Sequence, residues 1–290
     1  MIRKLFAILF AGACLASTAA LSQAVKVGSK NFTEQFIVGE LYAQALEKAG
    51  IKVEKRLNLG SALIAHTALV NGDIDIYPEY TGTALSFIVK GEPSSDANAV
   101  LEMVRKHYEE KFKLTWLTPS AINNGYAIIL KPELAEKLKL KTLTDLGPAS
   151  GKLSFGAEAA FSDRNDGLPG LKKVYGIEFK EFLTFAKLGL RYSALLDKQI
   201  DVSFGFATDW QIAANKLVVL EDDKHLFPPY YLAPVIRQDT LAKNPQIAPV
   251  LAKVNSLLNN DNMREMNARV ERDHEEPKDV AAQFLKSKGL

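Results

Sequence analysis

Cysteine is almost absent from this chain. The one copy, Cys14, lies in the N-terminal segment "MIRKLFAILFAGACLASTAALSQA". There Arg3 and Lys4 precede an apolar run, and small residues follow it. That is the pattern of a secretory signal peptide, residues 1–24, with Ser22 and Ala24 third-last and last before the cut. The run is too short to remain across a bilayer. The residues before Cys14, Ala11-Gly12-Ala13, lack the leucine that a lipoprotein signal carries three before its cysteine, which speaks against a lipid anchor. Without Cys14 the mature chain has no disulfide, although export would place it where disulfides form. Its stability has to come from burial, for which 47% apolar residues are ample.

Histidine is scarce too. His66, His107, His225 and His274 have no metal-ligand spacing. No Gly-x-Ser-x-Gly and no nucleotide-binding loop appears, and thiol chemistry would leave with Cys14. An exported enzyme would need a nucleophile, a base or a metal cluster, and none is in sight. An excess of one charge is also missing. The formal charge is +2, and removal of Arg3 and Lys4 leaves none. Nothing argues for nucleic acid.

Strand-like and helix-like segments alternate, so the chain reads as α/β with a mainly parallel sheet. "VKVGS", "IKVEKRL", "DIDIY", "YAIIL", "LSFG", "DVSFGF" and "LVVL" read as strands. Pro78 is expected to stop the third of them. Asn31 and Glu34 have capping-box spacing before a helical stripe. Ser61 opens a second helix, closed by Asn71-Gly72, and "ANAVLEMVRKHYEEKF" is helical. The last fifty residues read as helices. Asp163 and Asp166 are expected to cap the helix after Gly167. Asp73, Asp75 and Glu79 crowd one stretch, but no histidine lies near, which disfavours a metal.

One internal repeat stands out. "ALVNGDIDIYPEYTGT" (68–83) aligns without gaps on "ALLDKQIDVSFGFATD" (194–209). Tyr80 falls on Phe206. Two similar α/β lobes would each present an aromatic just past the carboxyl end of a strand, where open α/β sheets bind ligands.

"GSKNFTEQ", "LNLGS", "NGDIDIYPEYTGT", "NNGYAI", "FSDRNDGLPGL", "GLRY" and "LVVLEDDKHLFPPYY" resemble the substrate-binding proteins of ABC importers for glycine betaine, choline and related quaternary amines. The likeness runs from Val25 to about Arg237. It implies a two-lobed periplasmic-binding-protein-like fold of type II, with two hinge crossings and a ligand cleft between the lobes. On this reading residues 25–127 with 231–290 form one lobe and 128–230 the other. It implies a periplasmic or cell-surface location, and a membrane permease with a cytoplasmic ATPase as partners. It implies no catalysis and no cofactor. The protein is expected to act as a monomer.

A quaternary ammonium has no N–H to donate, so hydrogen-bond acceptors cannot grip it. Aromatic faces can. The family's cage corresponds to Tyr80, Tyr126 and Tyr230, and its remaining tyrosine to Phe206, which keeps a π-face but loses a hydroxyl. Tyr77 and Tyr231 should point to the opposite face as packing. The family's carboxylate grip corresponds to Lys30, Thr83 and Arg164. Asn124 matches a position that carries Asp or Asn among relatives. A neutral side chain there favours a zwitterion over a bare cation. A different small amine or an amino acid, taken up or sensed, stays open. A primary ammonium would want carboxylates or carbonyls where this chain has rings.

Overall fold

A computed structural model describes residues 24–290 apart from Pro93 and Leu188. The signal-peptide reading, with Cys14, lies outside the described residues. Among the described residues, ten strands make two five-stranded sheets. The first holds β1 (Val25–Gly28), β2 (Val53–Arg56), β3 (Ile76–Tyr80), β4 (Leu114–Trp116) and β10 (Leu232–Arg237), in the order β2-β1-β3-β10-β4. The second holds β5 (Tyr126–Leu130), β6 (Ser154–Ala157), β7 (Glu181–Thr184), β8 (Val202–Phe206) and β9 (Val218–Val219), in the order β7-β6-β8-β5-β9.

The two sheets share one plan. In each, a parallel trio is followed by a strand that runs backwards: β10 against β3 and β4, β5 against β8 and β9. The parallel reading thus holds for four strands of each five. The exceptions have a geometric cause. β5 and β10 are the strands the chain enters after crossing from the other sheet. A chain that leaves one sheet at its carboxyl edge reaches the facing edge of the next, and must run away from the cleft. The repeated segments occupy matching places, β3 in the first sheet and β8 in the second, and Tyr80 and Phe206 are their last residues.

Each sheet is buried on both faces. One core beside the first sheet joins Val27, Ile76 and Tyr80 to α1 (Thr33–Lys48) and to the carboxy-terminal helices. The other takes Tyr77, Tyr108 and Trp116. Tyr77 and Tyr80 therefore do face opposite ways. Two further cores flank the second sheet. Tyr126 and Phe227 pack against the cores of both lobes.

Several local expectations need correction. Pro78 does not end its strand. β3 runs on to Tyr80, and its register with β10 sets Pro78 opposite Pro234. Two residues that cannot donate then fall at one level of the ladder. The capping box is also absent. α1 begins at Thr33 with Phe32 before it and no side-chain cap, and Glu34 is buried and committed elsewhere. The second helix, α2 (Ala62–Asn71), follows Ser61 and ends at Gly72 in the left-handed region (φ 80°). Helix Leu168–Tyr175 starts after Gly167 with no side-chain cap, so Asp166 is not a cap.

Gly167 closes the turn that carries Arg164 and Asp166. A Cβ there would lie 2.1 Å from the Phe161 carbonyl oxygen, a backbone atom that cannot swing aside. Gly167→Ala should cost about 1–3 kcal/mol, the usual range for overpacking. Urea denaturation of the two proteins checks it.

Candidate functional site

The carboxyl edges of the two sheets face each other, and most of the aromatic side chains singled out above meet there. Tyr126 and Phe206, cross-strand partners in the second sheet, stack at 5.4 Å with planes 26° apart. Tyr230, on the second crossing, meets Tyr126 edge-on at 5.3 Å. Among the described residues, Tyr80 stacks on Phe32 and on none of these three. Phe32 joins them: its ring lies 6.4 Å from Tyr80 and 6.5 Å from Phe206, near-parallel to both. Phe32 was not anticipated. Its sequence signal is an aromatic in the loop between the first strand and the first helix, beside the Asn31–Glu34 spacing that resembles a capping box.

Lys30 is buried, and its ammonium lies 2.5 Å from Glu79 Oε1 and 4.6 Å from the Tyr80 ring centroid. Burial lowers its pKa, and Glu79 works against that. An ammonium has three donors. Among the described residues only Glu79 takes one. Glu79 in turn accepts from the Tyr77 hydroxyl at 3.0 Å. Asp73 and Asp75 are not part of this group, since Asp75 binds the Lys26 amide and the Thr240 hydroxyl.

Arg164 is buried and pairs side-on with Asp166 through Nε at 2.7 Å and a terminal nitrogen at 2.6 Å. Its guanidinium lies 5.2 Å from the Tyr126 ring. The Tyr230 hydroxyl also donates to Asp166. Burial opposes the charge on Asp166, but Arg164 and the hydroxyls of Tyr230 and Ser86 hold its carboxyl below the usual range. This pair was not expected from sequence.

Asn124 is buried. It donates to Glu34 Oε1 at 3.1 Å and accepts the Thr208 N–H at 3.1 Å. It therefore orients its neighbours through both ends of its amide. Thr83 is buried at the end of a short turn, Thr81–Thr83, that leads into a wider helical segment, Ala84–Val89. Its neighbour Gly82 lies against the Tyr230 ring. A Cβ on Gly82 would sit 2.6 Å from Tyr230 Cδ1.

Phe206 is backed by a cation. The Arg191 guanidinium lies 5.4 Å from its ring, while Nε donates to the Phe204 carbonyl at 2.6 Å. Asp209 ties the turn together by accepting from Arg191, the Tyr192 hydroxyl and the Phe206 N–H. Burial pushes its carboxyl pKa up.

Chemically, the site offers five rings and two cations, Lys30 and Arg164, each matched by its own carboxylate. It can surround a methylated cation and meet an anion with the donors that Lys30 and Arg164 have left.

Over residues 23–287 the chain matches the family described as the substrate binding domain of ABC-type glycine betaine transport system. It is 36% identical to the ergothioneine transport permease/ergothioneine binding protein EgtU of Helicobacter pylori (strain G27), over 91% of this chain and 47% of that protein. It thus spans about half the length of that relative. It is 33% identical to the glycine betaine-binding protein YehZ of Escherichia coli (strain K12), over 91% of this chain and 90% of that one. A solved structure described as a glycine betaine/carnitine/choline ABC transporter superposes with a TM-score of 0.75 at 32% identity, covering 91% of this chain and 98% of its own.

Two predictions follow from the geometry of this site. Gly82→Ala should displace the Tyr230 ring and weaken ligand binding about tenfold or more, since loss of one desolvated ring contact is worth about 2 kcal/mol. Titration calorimetry checks it. Asp166 should give stability that is present above its usual pKa of 3.8 and lost as the pH falls through the lower folded value. Acid unfolding of Asp166→Asn should lack that limb.

Proposed function

This chain belongs to the substrate-binding domain family of ABC-type glycine betaine transport systems, and we propose that it captures glycine betaine or a closely related trimethylated zwitterion between its two lobes. The family is one of transport proteins and not of enzymes. Its substrate-binding proteins are extracellular or periplasmic. For this chain the proposed location is the periplasm, with the signal cleaved near Ala24 and a permease with its ATPase as receiver.

The observation that supports the reading is the convergence of rings from beside both sheets: Tyr80 and Phe32 from the first, Tyr126 and Phe206 from strands of the second, which starts two residues before the expected lobe boundary, and Tyr230 from the crossing. Each ring on a cation is worth roughly 0.5–2 kcal/mol. Three or four of them approach the ~8 kcal/mol that micromolar binding needs. Lys30, Thr83 and Arg164 are the proposed grip on the ligand's carboxylate, with Asn124 as an orienting group.

The charge pattern favours a zwitterion. Lys30 is matched by Glu79 and Arg164 by Asp166. A ligand with no net charge adds nothing that needs compensation. A bare cation such as choline would have to draw on a further carboxylate, since these two are already engaged.

Calorimetric titration with glycine betaine, carnitine, choline, ergothioneine and glycine is the test. Ergothioneine belongs in the panel because of the Helicobacter relative. Glycine betaine should bind at least tenfold tighter than choline, and glycine should give no heat. Tyr80→Ala should remove most of the affinity. Arg164→Ala should penalise glycine betaine more than choline. Equal losses would take Arg164 out of the carboxylate role, and silence with every quaternary amine would end the proposal.

A further inference from the structure

Glu34 is the second residue of α1 and is buried. Each of its carboxylate oxygens accepts two hydrogen bonds. Oε1 takes the Tyr80 hydroxyl at 2.5 Å and the Asn124 amide at 3.1 Å. Oε2 takes the Thr208 hydroxyl at 2.5 Å and the Asn267 amide at 3.2 Å. A carboxylate has about four lone-pair sites, so Glu34 has nothing left to offer a ligand.

Its donors come from four parts of the chain. Tyr80 ends β3, Asn124 lies on the first crossing, and Asn267 is on helix Asn260–Glu271 of the first lobe. Thr208 alone belongs to the second lobe, two residues past Phe206. All three polar groups of Thr208 are used. Its N–H goes to Asn124 and its carbonyl accepts from Asn267 at 3.2 Å. The neighbours extend the contact. The Ala207 carbonyl accepts from Arg264 at 2.8 Å, and Trp210 and Gln211 donate to Glu271 at 2.9 and 2.7 Å. The segment after Phe206 is thus seated on the first lobe.

We propose that Glu34 is a positioning residue that couples the two halves of the ring cage: one oxygen holds Tyr80 of the first lobe, the other holds Phe206 of the second by way of Thr208. The inference rests on the binding function proposed above. Glu34 and Thr208 do not touch the ligand. They set how long the rings stay together around it.

The test is stopped-flow binding of glycine betaine to wild type, Thr208→Val and Thr208→Ser. Trp210 is a built-in reporter, because it bridges the lobes while Trp116 is buried in the first-lobe core. Thr208→Val should raise the dissociation rate about tenfold or more, the worth of a hydrogen bond to a charged group, and leave the association rate within about twofold. Thr208→Ser, which restores the hydroxyl, should return the wild-type dissociation rate. An unchanged dissociation rate in Thr208→Val overturns the coupling, as does a loss confined to association or one that Ser fails to rescue. Wild type that binds no quaternary amine overturns the functional reading itself, and the coupling with it.

Discussion

A trimethylated nitrogen offers no proton to an acceptor, and the whole site depends on meeting that limit with aromatic faces. Rings attract a cation most strongly when they are dry and held at fixed angles. Neither condition comes free at the mouth of a sheet. Here Tyr80 and Phe206 end strands and Tyr126 begins one, so backbone ladders place these three, while Tyr230 lies on a crossing and Phe32 just before α1. Tyr126 and Phe206 are neighbours because β5 and β8 are paired, and Tyr230 is pinned against the bare backbone of Gly82.

Polar groups around the rings are disposed of in closed sets. Lys30 with Glu79, Arg164 with Asp166, and Arg191 with Asp209 are pairs in which a buried charge has a counter-charge and further hydrogen bonds. Breaking such a pair would leave one charge stranded, which is far costlier than never having had it. The pairs therefore do little for net stability, but they make the alternative arrangements expensive. That is a means of holding rings in one place.

Much of the architecture was legible because periodicity reports burial. The alternating segments, the helix over Ala97–Phe112 and the repeat that aligns β3 with β8 follow directly from the pattern. The misreadings have a common cause. Asn31 with Glu34, and Asp166 before Gly167, look like helix caps by local spacing. Glu34 is instead held by Thr208 and Asn267, far along the chain, and Asp166 by its near neighbour Arg164 together with the distant Tyr230. Local grammar cannot reveal a partner 174 or 233 residues away. Pro78 misled for a similar reason, since the residue opposite it, Pro234, arrives from the other end of the fold. Phe32 carries no periodic signal, because it stands in the loop between β1 and α1 beside residues whose spacing mimics a cap.

The reversed strands bear on the order in which the molecule can be assembled. The second sheet is drawn from one continuous stretch between Tyr126 and Val219, so a ribosome delivers everything it needs in a single run. The first sheet is not. β10 lies between β3 and β4, and it is made after the entire second lobe. Until Leu232–Arg237 emerges, the amino-terminal half holds a sheet with a missing middle slat. The part of the chain synthesised first thus cannot complete its sheet until the second lobe has been made.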